Sequence, residues 1–213
     1  MARKEMQNLK SKVAKIFLDK VETLECVRDK DGFQRFVNNL KNFMDEQDKA
    51  TEDYHCILSL LGRLRKSGDI SPREHTLLEV FLYLMMVEGP ICSYLNFFSH
   101  LLVASEHDLY SLTKRKYVKD DMDEIRKVEM STKIQFLKHH GFGVLTKEYD
   151  STFRNDIAHH NYWVDAKGFL WIRGKAVDMT TKLDSLIRIL HFARESFEEV
   201  GEKLAQRRCM HIS

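Results

Sequence analysis

Apolar side chains recur at intervals of three and four residues along most of this chain, and only an α-helix converts that spacing into one continuous face. The 213 residues include only two prolines and nine glycines, so few positions interrupt a helix. The sequence therefore predicts a mainly helical protein. The clearest stripe lies near the end of the sequence and contains Leu183, Leu186, Ile187, Leu190, Phe197, Val200 and Leu204.

The first third of the chain carries helical stripes that stop at a polar, glycine-containing segment. Helices are predicted at about residues 9–28, 33–44 and 52–66. The segment Ser67-Gly68-Asp69 follows them, and glycine between short polar residues is typical of a break between helices. We therefore predict an N-terminal helical extension, residues 1–67, and a main helical bundle, residues 68–213.

Two further helices are predicted in the main bundle. Ser71-Pro72-Arg73-Glu74 places a capping serine, a first-turn proline and a capping-box glutamate in the expected order. This helix should continue to about residue 104, with a kink at Pro90 because proline removes a backbone hydrogen bond. A single helix is predicted over residues 120–140, which begin with acidic and end with basic side chains.

Residues 162–177 have a different pattern, in which aromatic and β-branched side chains alternate around Ala166-Lys167-Gly168. Alternation with a central glycine is typical of a β-hairpin. The predicted fold class is therefore all-α, with one small β-hairpin at about residues 162–177.

Charge and apolar runs limit the classes of partner. Lys+Arg of 34 against Asp+Glu of 32 give a formal net charge of +2, so any affinity for RNA must come from local patches. The basic segment Lys114-Arg115-Lys116 is one such patch. The apolar run 77–103 is interrupted by Glu79 and Glu88, which predicts a buried helix rather than a membrane span. Four widely spaced cysteines without a C-x-x-C pair favour free thiols in a cytoplasmic protein.

Residues 154–162, with the sequence R-N-D-I-A-H-H-N-Y, combine a fixed positive charge, imidazoles and hydrogen-bonding side chains within nine positions. A guanidinium can hold a phosphate through two parallel hydrogen bonds, and a histidine can take and give a proton at neutral pH. RNA supplies its own nucleophile, the 2′-hydroxyl, so cleavage needs only a base, an acid and charge stabilisation. The segment therefore suits phosphodiester chemistry.

The six residues from Arg154 to His159 resemble the R-N-x-x-x-H signature of the HEPN superfamily (higher eukaryote and prokaryote nucleotide-binding domains). In that superfamily of helical proteins the motif commonly marks a metal-independent endoribonuclease. The resemblance implies a HEPN-like helical bundle, cleavage of single-stranded RNA without a metal or cofactor, and a homodimer in which two motif copies face one cleft. Some members resembling this pattern are toxins or defence effectors, for which an antitoxin or a nucleotidyltransferase is the expected partner. Others are non-catalytic RNA-binding, nucleotide-binding or interaction modules, and this is the alternative function.

The resemblance also implies roles for the motif residues. Arg154 would bind and stabilise the phosphate, His159 would act as general base or acid, and Asn155 would orient the site. The alternative is a purely structural role, in which Arg154 forms a salt bridge to a neighbouring helix and His159 caps the end of its own helix. His160 is the alternative to His159, because a longer spacer from Arg154 and the form His160-Asn161-Tyr162 also occur in the superfamily. Tyr162 would contact RNA, or be the target of a nucleotidyltransferase, or simply begin the hairpin.

Two carboxylates are candidate supporting residues. Glu88 lies in an apolar segment where an unpaired charge is costly, and the resemblance places an acidic residue on a helix next to the motif. We therefore expect either a pair between Glu88 and Arg154 or a glutamate that faces solvent at the Pro90 kink. Asp156 is expected either as a charge partner of Arg154 or His159 or as a solvated surface carboxylate.

Overall fold

A computed structural model describes residues 11–16, 18–19, 30–106, 122–147 and 149–210. The fold is mainly helical, since 78% of these residues are in helices, and it includes one small antiparallel sheet of three strands. The mainly helical class is confirmed at this level. Besides residues 11–16 and 18–19, the helices are α1 (Lys30–Ser67), α2 (Pro72–Met86), a π-helix (Val87–Ile91), α3 (Cys92–Glu106), α4 (Met122–Lys127), α5 (Met130–His139), α6 (Gly143–Thr146), α7 (Ser151–Ala158) and α8 (Met179–Met210).

Contacts divide the chain into two compact units. The first comprises residues 1–42, 94–146 and 189–213, and the second comprises residues 43–93 and 147–188. The motif, the sheet and Glu88 all belong to the second unit. The boundary predicted between residues 67 and 68 remains a prediction.

Helix α1 replaces two of the predicted helices. The separate helices predicted at 33–44 and 52–66 are wrong, because Lys30–Ser67 is one continuous helix of 38 residues. The polar residues between the two stripes include no proline or glycine to stop it. Among them Gln47 is buried and donates a hydrogen bond to the carbonyl of Pro90 at 3.5 Å. The predicted break after Ser67 is confirmed, and Gly68 adopts a positive φ of 72° there.

Helix α2 begins with the predicted capping box. The Ser71 side chain accepts a hydrogen bond from the backbone of Glu74, and the Glu74 carboxylate accepts one from the Ser71 backbone at 2.7 Å. The irregularity predicted at Pro90 is a π-helix, Val87–Ile91, which leads into α3. Among the described residues, Pro72–Val103 is one run long and apolar enough to cross a membrane by composition. Half of its most apolar window is buried, as in the core helix of a soluble protein.

The single helix predicted over residues 120–140 is wrong, because Val128 and Glu129 separate α4 from α5. Lys133, which is 1% exposed, donates to the backbone carbonyl of Arg126 at 3.2 Å and to Asn96 at 2.6 Å. The lysine ammonium thus supplies a hydrogen bond to a carbonyl at the end of α4, which compensates for the interruption. Around this break the first unit packs a cluster of aromatic rings, which includes Phe97, Phe98, Phe136 and Phe142.

The sheet of the second unit follows the motif helix directly. Its strands are β1 (Tyr162–Val164), β2 (Leu170–Ile172) and β3 (Lys175–Val177), in the order β1-β2-β3, and both pairs are antiparallel. The predicted hairpin is confirmed for β1 and β2, whereas β3 was not predicted. A two-residue turn connects β2 to β3, and both of its residues, Arg173 and Gly174, have positive φ angles of 51° and 75°.

The β1–β2 turn is fixed to the start of α2. The carbonyl of Gly168 accepts a hydrogen bond from the Thr76 hydroxyl at 2.8 Å. A Cβ atom at Gly168 would lie 2.7 Å from the carbonyl oxygen of Pro72, so this close approach requires glycine. The contact holds the sheet against the helix that leads to Glu88.

Candidate functional site around Arg154

Helix α7 positions the motif. Asp150 caps its N-terminus by accepting a hydrogen bond from the backbone of Phe153 at 3.0 Å. Phe153, Asp156 and Ile157 are the buried residues of the helix, and their spacing of three and four places them on one inward face. Phe153 packs edge to face against Tyr83, with ring centroids 4.9 Å apart. Arg154 and Asn155 therefore point away from the core.

The guanidinium of Arg154 is held by two partners. Its Nε atom donates to Oε1 of Glu88, and its Nη1 atom donates to Oδ1 of Asn155 at 2.9 Å. The predicted pair between Glu88 and Arg154 is therefore present. The Arg154 side chain is 31% exposed and that of Glu88 46% exposed, so the pair lies at the surface rather than in the core. The hydrogen bond to Glu88 raises the pKa of Arg154, which stays positively charged.

Glu88 reaches Arg154 from the π-helix between α2 and α3. Single π-turns inside longer helices often occur at functional sites, since they displace one side chain from the regular helical face. Here the turn contains Gly89 and Pro90, and Pro90 has no backbone N–H to donate to the regular ladder. The irregular turn carries the acidic partner of the motif arginine.

Two tyrosines and a cysteine surround the Arg154–Glu88 pair. Burial raises the pKa of Tyr149 to about 12, and the charges of Cys92 and Glu88 act in the same direction. Burial likewise raises the pKa of Tyr83, whose hydroxyl has no hydrogen-bond partner among the described residues. Both phenols are therefore neutral at physiological pH. They can donate a hydrogen bond, but they cannot act as bases.

His159 and His160 end the motif helix. His159 is the C-cap, and His160 follows in the left-handed conformation with φ 56°. The backbone N–H groups of His160 and Asn161 donate to the carbonyls of Ile157 and Asp156 at 3.1 and 2.8 Å. This pattern is a Schellman motif, in which glycine is the usual residue at the position of His160. Both imidazoles are exposed.

The structure does not join either histidine to Arg154. Within the described part of the chain, neither imidazole makes a hydrogen bond or ion pair, and the His160 ring lies 6.1 Å from that of Tyr162. Tyr162 itself is half-buried at the start of β1. The motif therefore forms two groups, the guanidinium with its acidic and amide partners and the exposed imidazoles at the helix end.

Asp156 has a partner that the sequence did not suggest. Its carboxylate, 6% exposed, forms an ion pair with Arg173: Oδ1 accepts a hydrogen bond from Nη2 at 3.0 Å, and Oδ2 lies 2.9 Å from Nε. The expectation that Asp156 pairs with Arg154 or His159, or is solvated, is wrong, because residue 156 lies on the inward face of α7. The spacing of Phe153, Asp156 and Ile157 was an available signal of this burial, and a buried carboxylate requires a cation.

Other candidate groups add little to this site. The basic residues Lys114, Arg115 and Lys116 lie outside the described residues. Among the residues that the structure describes, no cluster of three or more His, Cys, Asp or Glu side chains could hold a metal ion. Neither Cys56 nor Cys92 forms a disulfide with another described residue.

Comparisons of the chain with protein-family models, with curated protein sequences and with solved structures found no match.

Proposed function

We propose that this chain is a metal-independent endoribonuclease of the HEPN type, which cleaves single-stranded RNA with the 2′-hydroxyl of the RNA as the nucleophile. One observation carries the proposal. A single helix of eight residues holds a guanidinium oriented by Glu88 and Asn155, and an exposed imidazole forms its C-cap. These are the groups that phosphodiester cleavage by an internal nucleophile requires.

Arg154 is the phosphate-binding residue in this mechanism. Its Nη2 atom makes no hydrogen bond within the described residues, so it remains for a phosphate oxygen. Glu88 offsets part of its charge before RNA binds, which weakens the attraction for the ground-state phosphate. Negative charge on the phosphate oxygens increases in the transition state, where a fixed donor is most effective.

His159 is the proton-transfer residue. As a base, it takes the proton from the 2′-hydroxyl while the 2′-oxygen bonds to phosphorus. The bond from phosphorus to the 5′-oxygen breaks, and an acid returns a proton to that oxygen. The products are a 2′,3′-cyclic phosphate and a 5′-hydroxyl. In a homodimer, the imidazole of the second copy supplies the acid, because each chain contributes only one motif.

The remaining predicted residues would act on the substrate. Tyr162 and the basic segment formed by Lys114, Arg115 and Lys116 would contact RNA, and His160 is the alternative to His159. If the chain is a toxin, an antitoxin or a nucleotidyltransferase acting on Tyr162 would restrain it. A cytoplasmic location fits these partners.

The alternative function is a non-catalytic RNA-binding or nucleotide-binding module of the same superfamily. The ion pair of Arg154 with Glu88 favours it, since a carboxylate already balances the motif arginine. It is also favoured by the lack of contact between Arg154 and either histidine within the described residues. In this function RNA is bound and released unchanged.

The decisive experiment compares cleavage of a single-stranded RNA by the wild type and by Arg154→Ala and His159→Ala. Each change should lower the rate by about 10²–10⁴-fold, as expected for loss of a charge stabiliser or a proton-transfer group. Matched controls are Arg73→Ala and His139→Ala, which remove an exposed arginine and an exposed histidine elsewhere. Unchanged cleavage in both motif variants would refute the proposal. Binding without cleavage by the wild type would establish the alternative.

A further inference from the structure

One face of the small sheet carries exposed aromatic rings. Trp163 on β1 and Trp171 on β2 are directly opposite each other, and their rings stack with centroids 5.5 Å apart and an angle of 7° between planes. Trp163 is 56% exposed, and Phe169, just before β2, is 54% exposed. Side chains alternate along a strand, so the buried Val164 and Leu170 belong to the opposite face. The polypeptide thus presents its aromatic groups to solvent on one side.

Asp165 fixes the orientation of this aromatic face. Its Oδ1 atom accepts hydrogen bonds from the backbone of Lys167 and of Phe169, both at 2.9 Å. Its Oδ2 atom accepts the indole N–H of Trp171 at 3.1 Å. The hydrogen bond from the Phe169 backbone is the largest cause that lowers the pKa of Asp165, so this carboxylate is ionised at neutral pH. A ligand that stacks on rings already held in place loses less free energy to their ordering.

The charges near these rings are mainly positive. Residues 161–177 contain the cationic side chains of Lys167, Arg173 and Lys175 and one carboxylate, Asp165. Arg173 is paired with Asp156, and Lys175 is opposite Ile172 and so belongs to the other face of the sheet. Lys167, which is exposed and two residues before Phe169, is the cation next to the aromatic residues in the sequence. Flat aromatic faces beside lysines are the combination that binds single-stranded nucleic acids, because bases stack on the rings and phosphates contact the cations.

We propose that Trp163, Trp171 and Phe169, with Lys167 in the turn between their strands, form a stacking platform for bases of single-stranded RNA. The choice of RNA rests on the proposed function. Trp163 lies on the edge strand β1 of the sheet, so one side of its ring has no neighbouring strand. On the other side, Trp171 is opposite Ala176 of β3, which is exposed and whose methyl group covers little of an indole. A base can therefore stack at either end of the tryptophan pair.

Tryptophan fluorescence measures binding at the platform directly, because Trp163 and Trp171 are the two tryptophans of the sequence. The test titrates the protein with a 2′-O-methyl oligoadenylate, which cannot be cleaved, and follows both tryptophan fluorescence and oligonucleotide anisotropy. We expect quenching that saturates together with the anisotropy. Trp163→Leu, which keeps an apolar side chain but removes the ring, should weaken binding by about 5- to 100-fold. Trp163→Phe should retain most of the affinity.

Phe81→Leu is the matched control, because Phe81 is 54% exposed like Phe169 but is part of helix α2 and not of the sheet. The affinity of Phe81→Leu for the oligonucleotide should equal that of the wild type. Circular dichroism should show that all variants are folded. Binding without quenching, no binding, or an unchanged affinity in Trp163→Leu would overturn the platform. The same holds if Trp163→Leu dissociates a dimer while leaving oligonucleotide affinity unchanged, since the rings would then form a protein interface. If Arg154→Ala no longer cleaves RNA but the oligonucleotide still quenches its tryptophan fluorescence, the platform is distinct from the cleavage site.

Discussion

The carboxylate of Glu88 accepts a hydrogen bond from the guanidinium of Arg154, which lies 66 residues later in the chain. Both side chains are partly exposed, and an exposed ion pair of this kind contributes only about 0–1 kcal/mol to the free energy of unfolding. The pair therefore does little for the stability of the fold. Its effect is to fix the direction of the guanidinium, which also binds Asn155.

Arg154→Lys tests whether this direction matters. Lysine keeps the positive charge, but its single ammonium cannot reproduce the planar fork that donates to Glu88 and Asn155 together. We expect cleavage of single-stranded RNA to fall by at least about 10-fold while the Tm changes little. Arg73→Lys, at an exposed arginine of α2, is the control and should cleave like the wild type. Full activity in Arg154→Lys would show that charge alone suffices.

A second prediction concerns the backbone at His160, which has φ 56° at a position where glycine is favoured. A non-glycine residue in this conformation costs about 1–2 kcal/mol, and the greater freedom of glycine in the unfolded chain offsets part of the gain. His160→Gly should therefore raise the free energy of unfolding by about 0.5–1 kcal/mol, measured by urea denaturation. If His159 is the proton-transfer residue, the variant should also cleave RNA normally.

Ala158→Gly is the control for that experiment, since Ala158 is the last residue of α7 and is exposed. Ala158→Gly should lower the free energy of unfolding by up to about 1 kcal/mol, because glycine is unfavourable in a helix. A loss of cleavage in His160→Gly, with stability gained, would assign the proton transfer to His160 instead. Strain at His160 would then be a cost retained for function.

Parts of this structure could be predicted from sequence because single residues determine them. The capping box at Ser71, the helix end at Gly68 and the strands around Gly168 each follow from local conformational preference. The pair between Glu88 and Arg154 was also anticipated, but the reason given for it does not hold, because Glu88 is 46% exposed and is not a buried carboxylate in need of a partner.

Other parts depend on contacts between residues distant in the sequence. The lack of proline and glycine around Gln47 permits α1 to continue but does not require it, and the break before α5 is compensated by Lys133, whose partner Asn96 is 37 residues away. Arg173 pairs with Asp156 from the turn that leads into the third strand. This turn consists of Arg173 and Gly174, whereas Asn-Gly is the usual sequence of such a turn, so its presence could not be predicted. Local patterns do not determine such choices.

The third prediction measures that pair. Arg173→Ala removes the cation and leaves the Asp156 carboxylate, 6% exposed, without its ion pair and the hydrogen bond from Nη2. An unsatisfied buried acceptor costs about 1–3 kcal/mol, and we expect the free energy of unfolding to fall by that amount. Lys175→Ala, two residues later and exposed, should change stability by less than about 0.5 kcal/mol. Equal effects of the two substitutions would mean that the pair is not important for stability.

The fourth prediction is a dependence of stability on alkaline pH. Burial raises the pKa of Tyr149 from an ordinary value of 10 to about 12, so between these values the folded state binds more protons than the unfolded state. The resulting stabilisation is complete below about pH 10 and is lost as the pH rises to about 12. Tyr149→Phe cannot ionise and should lose less stability over this interval, as measured by urea denaturation at fixed pH values. Identical slopes for variant and wild type would exclude Tyr149 as a contributor.

The final prediction concerns the chemistry of the cut. If the 2′-hydroxyl of RNA is the nucleophile, a substrate with one 2′-O-methyl group at the cleaved position should bind but remain intact, and DNA of the same sequence should not be cut. The fragments from RNA should carry a 2′,3′-cyclic phosphate and a 5′-hydroxyl, which mass spectrometry distinguishes from the products of attack by water. Cleavage should also continue in EDTA, since neither Arg154 nor His159 requires a cation to bind phosphate or to transfer a proton. Hydrolysis of the 2′-O-methyl substrate would show that water is the nucleophile. Inhibition by EDTA, reversed by added divalent cations, would show that a metal ion takes part and that the proposed mechanism is wrong.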